Sequence, residues 1–89
     1  MNIKMIEEDI KFNEIALETI EEDIRELEHK IESIKEDLEI ETNKDEILSL
    51  KNALEDLSEE LEKMNSVADD LKEQITEGYK KIRELESIS

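Results

Sequence analysis

The one histidine in this sequence closes the tetrapeptide Glu26-Leu27-Glu28-His29. Glu-x-x-His is the spacing by which carboxylate-bridged di-iron bundles present two ligands from one helix, and a dimer would supply two copies. That chemistry needs both side chains aimed inward. In the heptad frame of the chain Glu26 takes c and His29 takes f, both outward, so the pair reads as solvated. No metal or cofactor is expected. The absence of Cys excludes a thiol nucleophile and a disulfide framework. There is no Gly-rich phosphate loop, no EF-hand loop and no Ser/His/Asp set. The chain is therefore expected not to be an enzyme and to take no small-molecule substrate.

A few other residues invite a chemical reading and receive a structural one. Tyr79 falls at e, on the edge of the helical seam, and is expected to pack over Gly78. Gly78 itself leaves a gap opposite Ile10 or marks a kink. Asn13 at a core position sets register or partner number at a cost in stability. Lys80, Lys81 and Arg83 form the one basic cluster, near a helix C-terminus, where the macrodipole favours cations.

The acids carry more information. Asp and Glu number 28 against 12 Lys and Arg, a formal net charge of −16. Coiled-coil surfaces ordinarily mix both signs to form i,i+4 pairs. Here Glu7, Glu14, Glu21 and Glu28 occupy four successive e positions, about 10.5 Å apart per heptad. Glu8, Glu18 and Glu22 lie between them. Glu55, Asp56, Glu59, Asp69 and Asp70 extend the acidic face in the second half. Self-repulsion on this scale works against a compact state, so the acidity reads either as solubilising, with a composition high in Ile, Glu, Lys and Asp, or as steering toward a basic partner.

The elements that carry these residues follow from apolar spacing. With Ile3 at a, the residues Ile3, Ile6, Ile10, Leu17, Ile20, Ile24, Leu27, Ile31, Ile34 and Leu38 fall at a and d, with Asn13 the exception. With Ile47 at a, the second block runs Ile47, Leu50, Leu54, Leu57, Leu61, Met64, Ala68, Leu71, Ile75, Ile82 and Leu85, with Gly78 the exception. Such sustained heptads indicate a coiled coil. The blocks differ in phase across Glu41-Thr42-Asn43-Lys44-Asp45, a stretch poor in helix formers. Asn43 can end a helix in the left-handed conformation or open a capping box with Glu46; Asp45 is an alternative cap.

The expected fold is all-α: one antiparallel two-helix coiled-coil hairpin over 1–89, with helix 1 about 3–41, a loop about 42–45 and helix 2 about 46–86. An antiparallel register whose paired residue numbers sum to 88 satisfies both blocks, matching Leu38 with Leu50, Ile10 with Gly78 and Ile3 with Leu85. On the edges it sets Lys30 near Glu60, Asp9 near Lys81 and Glu14 near Lys72, and leaves Lys35 against Lys51 as a misfit. The rival is one continuous helix in a long parallel dimer. Met5, Phe12 and Ile40 at c, with Ala16, Ala53, Val67 and Ile88 at g, lie on one flank of the seam. Met5, Phe12, Ile15, Ala16 and Val67 read as a self-association or docking edge that would complete a four-helix homodimer.

The residue types also bound the setting. The N-terminus has no apolar h-region and turns acidic at once, so no signal peptide is expected, and Met1 suggests an intact start. The longest apolar run, Ile15-Ala16-Leu17, cannot span a bilayer. An acidic face is wrong for direct binding to nucleic acid or to an anionic membrane. The expected setting is cytoplasmic, and the expected partner is a protein with a basic surface. Carboxylates at regular spacing offer a cationic groove what a nucleic-acid backbone offers, which suggests a DNA mimic that inhibits its target, as small viral or mobile-element anti-defence proteins do as a class. The alternative is a structural coiled-coil scaffold, adaptor or oligomerisation module.

Overall fold

The computed structural model describes residues 2–88. Among them the chain forms two helices and no strand: α1 (Ile3–Ile40) and α2 (Lys44–Ile88). Leu, Glu and Lys favour a helical backbone, and no Pro interrupts either run. Asn2 opens α1. Its Oδ1 accepts the Lys4 amide at 2.9 Å and its carbonyl accepts the amides of Met5 and Ile6.

The break between the helices is short and made of side-chain caps. After Ile40 the Glu41 amide donates to the Asp37 carbonyl at 3.0 Å, the last helical bond of α1. Glu41 Oε1 then accepts the amides of Thr42 and Asn43, at 3.1 and 3.0 Å. Asn43 Oδ1 accepts the amides of Asp45 and Glu46, at 2.9 and 3.3 Å, and the Asn43 carbonyl takes the first helical bond from Ile47. Asn43 is thus the N-cap of α2, a position whose loss typically costs ~1 kcal/mol. Asp45 and Glu46 follow in the first turn, where the positive helix end favours acids.

These bonds correct the expected boundaries. The loop is 41–43 and not 42–45, α2 begins at Lys44 and not at 46, and it continues to Ile88. Asn43 does not end α1 in a left-handed conformation: among the described residues none has positive φ. The expected capping box is only half formed, because Glu41, not Glu46, accepts the Asn43 amide. A continuous helix through this stretch is excluded.

The chain divides into two compact units. One comprises Met1–Glu21 with Ser66–Ser89; the other is Glu22–Asn65, which holds the loop. In the first unit the helix segments run antiparallel. Ile10 lies against Gly78, and Glu14 bonds to Tyr79. Ile6, Ile10 and Ala68 are its buried residues. In the second unit Leu27 and Ile31 are buried, and α2 residues 44–65 are the only other helical segment there. Every a and d position of both blocks, Asn13 and Gly78 included, is buried or half-buried. A two-helix seam covers one stripe per helix, which is why most of these residues are only half-covered.

The Ile10/Gly78 layer of the expected register is met directly. A Cβ placed on Gly78 would fall 2.6 Å from Ile10 Cγ1 and 2.9 Å from its Cδ1. The expected gap there does not exist, because Ile10 fills it and is itself 4% exposed. Glycine is needed at this point for close approach and not for backbone conformation.

Candidate functional site

The acidic residues proposed to contact a partner divide between the units. Glu7, Glu8, Glu14, Glu18, Glu21, Asp69 and Asp70 belong to the first; Glu22, Glu28, Glu55, Asp56 and Glu59 belong to the second. All are exposed except Glu21, which is half-buried. Glu7, Glu14, Glu21 and Glu28 stand at e, on the edge of the seam, and the others at b, c and f, outside it.

In the first unit two open grooves flank the seam. The first brings together Glu7, Glu14 and Glu18 of α1 with Tyr79, Ile82 and Arg83 of α2. Ile10, Lys11 and Ile15 complete its α1 wall. At its centre the Tyr79 hydroxyl donates to Glu14 Oε1 at 3.2 Å. The negative charge of Glu14 and this hydrogen bond, with a small contribution from burial, hold the Tyr79 phenol above its ordinary pKa. Tyr79 therefore leans across to α1 and does not simply cover Gly78. It remains 48% exposed.

The second groove has a more polar floor. Asn13 and Gly78 lie within it beside Ile6 and Ile10, and Asp9, Asp70, Glu73 and Glu77 wall it. Asp9 and Lys81 line this one groove, as the register arranged. Glu14, in contrast, meets Tyr79 where Lys72 was expected.

The proposed docking edge is exposed in part. Phe12 is 73% exposed, and Met5, Ile15 and Val67 are also exposed, while Ala16 is half-buried. All five belong to the first unit. Ile15, at f, lines the Tyr79 groove, whereas Met5 and Phe12 at c lie toward the opposite flank. Ile15 thus lies beside the acidic residues of the Tyr79 groove, three residues on from Phe12 along α1.

Glu26 and His29 are both exposed, in keeping with their outward heptad positions. Among the described residues no three His, Asp or Glu side chains are grouped to hold a metal ion. No described helix is long and apolar enough to cross a membrane. Because α2 runs to Ile88, Lys80, Lys81 and Arg83 lie short of its last turn, which carries no basic residue. The macrodipole does not account for them; Lys81 and Arg83 are groove residues instead.

The sequence alone missed the Tyr79–Glu14 bond and the placement of Lys11 and Arg83 in the same groove. A signal for the bond existed, since in an antiparallel pair the e positions of both helices share one flank of the seam. No protein-family model, curated protein or solved structure matches this chain.

Proposed function

We propose that this chain is a non-enzymatic binding protein that presents a carboxylate surface to the basic nucleic-acid-binding surface of another protein, and inhibits that protein as a DNA mimic. The observation that carries the reading is the excess of 28 acids over 12 bases, with Glu7, Glu8, Glu14, Glu18, Asp69 and Asp70 exposed on helical backbone. Helices hold those carboxylates at fixed intervals, so a cationic surface meets them without first ordering them. Charge-assisted bonds from Lys and Arg would supply the contacts, and the net charge would raise the encounter rate. The setting in which such a protein works is the cytoplasm, and its kind is a viral or mobile-element anti-defence protein.

Charge reversal tests this. The chain with Glu14, Glu18, Glu21 and Glu22 all changed to Lys is compared with the native chain in capturing basic proteins. The native complex is expected to weaken steeply as salt rises and to be displaced by duplex DNA, and the reversed chain is expected to lose it. Capture that ignores ionic strength and coexists with DNA would refute the mimic.

A second reading has its own support in the exposure of Phe12 and Met5. It holds the chain to be a structural coiled-coil module whose Phe12 edge closes a four-helix homodimer. Under it Phe12→Asp abolishes assembly in sedimentation while the charge reversals do not.

A further inference from the structure

The two grooves of the first unit differ in kind. One is floored by Asn13 and Gly78 and walled by acids. The other exposes apolar surface: Ile82 is half-buried, and Tyr79 and Ile15 are 48% and 58% exposed. Its α1 rim carries three acids, Glu7, Glu14 and Glu18, against one cation, Lys11, and Arg83 stands on the α2 wall.

We propose that the Tyr79 groove docks a basic amphipathic helix of a partner protein, with the partner's apolar stripe on Ile15, Tyr79 and Ile82 and its Lys or Arg residues against Glu7, Glu14 and Glu18. The inference rests on the basic-partner reading and adds where and in what form the partner binds. A trough between two antiparallel helices accepts a third helix lying along it, anchored by side chains at i, i+3 or i+4, and i+7. The α1 wall extends from Glu7 to Glu18, about three turns at ~1.5 Å per residue, which matches three such anchors.

Charge selects the occupant. A second copy of this chain would bring another −16 to the same rim and be repelled. A neutral apolar helix would desolvate the rim carboxylates without pairing them. A helix edged with Lys and Arg covers the apolar wall and pairs the acids together. The Tyr79 bond engages Glu14 Oε1 and leaves Oε2 to accept from a cation.

The test uses the full chain and a synthetic helical peptide of Leu and Lys in amphipathic period, beside a scrambled peptide of the same composition. The protein has one Tyr and no Trp, so its intrinsic emission reports Tyr79 alone. The amphipathic peptide is expected to change that emission saturably. Scrambling the peptide, or Ile15→Asp in the protein, is expected to weaken binding about tenfold, as loss of a central apolar anchor does. Ile15 lies outside the seam, and circular dichroism confirms that the variant remains helical. Equal binding of both peptides with unchanged Tyr79 emission would overturn the groove while leaving the basic-partner reading intact. No binding of either peptide at low salt would overturn both. Tyr79 emission that changes with protein concentration alone, with a dimer in sedimentation, would show a second copy in the groove and overturn the inference.

Discussion

Tyr79 and Glu14 meet because of how side chains leave a helix. Each Cα–Cβ bond tilts toward its own N-terminus. In an antiparallel pair Glu14 leans toward the level of Ile10, and Tyr79 leans toward the level of Ile75. Those two directions converge, whereas Glu14 and Lys72 lean apart. The heptad letters alone allow either partner, so the contact was legible only to a reading that adds tilt to register. The contact has a pH signature. Because Glu14 raises the phenol's pKa in the folded state, the stabilisation it gives is present below the ordinary tyrosine value of about 10 and is lost as pH rises through the folded-state value. Spectrophotometric titration of this single tyrosine should show a midpoint above that of a model peptide. Glu14→Gln should bring it down toward the peptide value. An identical midpoint in both proteins would remove the bond from solution.

At the scale of the helices, the residues that line the seam were legible and the joint was not. Apolar residues at three- and four-residue steps can be buried on only one face of a helix, and every a and d position is indeed covered at least in part. The joint depended on which of two good caps, Asn43 or Asp45, opens α2, and local preference does not separate them. The Glu41 carboxylate decides it by taking the Thr42 and Asn43 amides, which leaves Asn43 placed to cap. Gly78 then tests the register of the first unit. Replacing it with Ala should gain ~1 kcal/mol of helix propensity, but the new methyl meets Ile10 and overpacking costs ~1–3 kcal/mol. Gly78→Ala should therefore lower stability in urea melts, by about 1 kcal/mol net. In an Ile10→Ala background the same change should raise stability by ~1 kcal/mol, because the obstacle is gone. The same sign in both backgrounds would mean that Ile10 does not fill the Gly78 position.

For the molecule as a whole the net charge makes folding and binding respond to salt in opposite directions. Intramolecular repulsion among carboxylates weakens as the Debye length falls from ~30 Å at 0.01 M to ~3 Å at 1 M. The chain should therefore melt at higher temperature in concentrated salt. Relief of ~1 kcal/mol would raise the midpoint by about 4–8 °C for a chain of this size. Binding to a cationic partner should weaken over the same range. Changing Glu14, Glu18, Glu21 and Glu22 to Lys adds two charge units at each site and takes the net from −16 to −8. If those acids serve recognition, the reversed chain should melt higher than the native one at low salt, with a shallower salt dependence, while losing its partner. Circular dichroism melts at several salt concentrations, paired with binding isotherms, separate the two effects. A reversed chain that melts lower at low salt would mean that these carboxylates hold the fold together, and the argument from repulsion to recognition would then lose its premise.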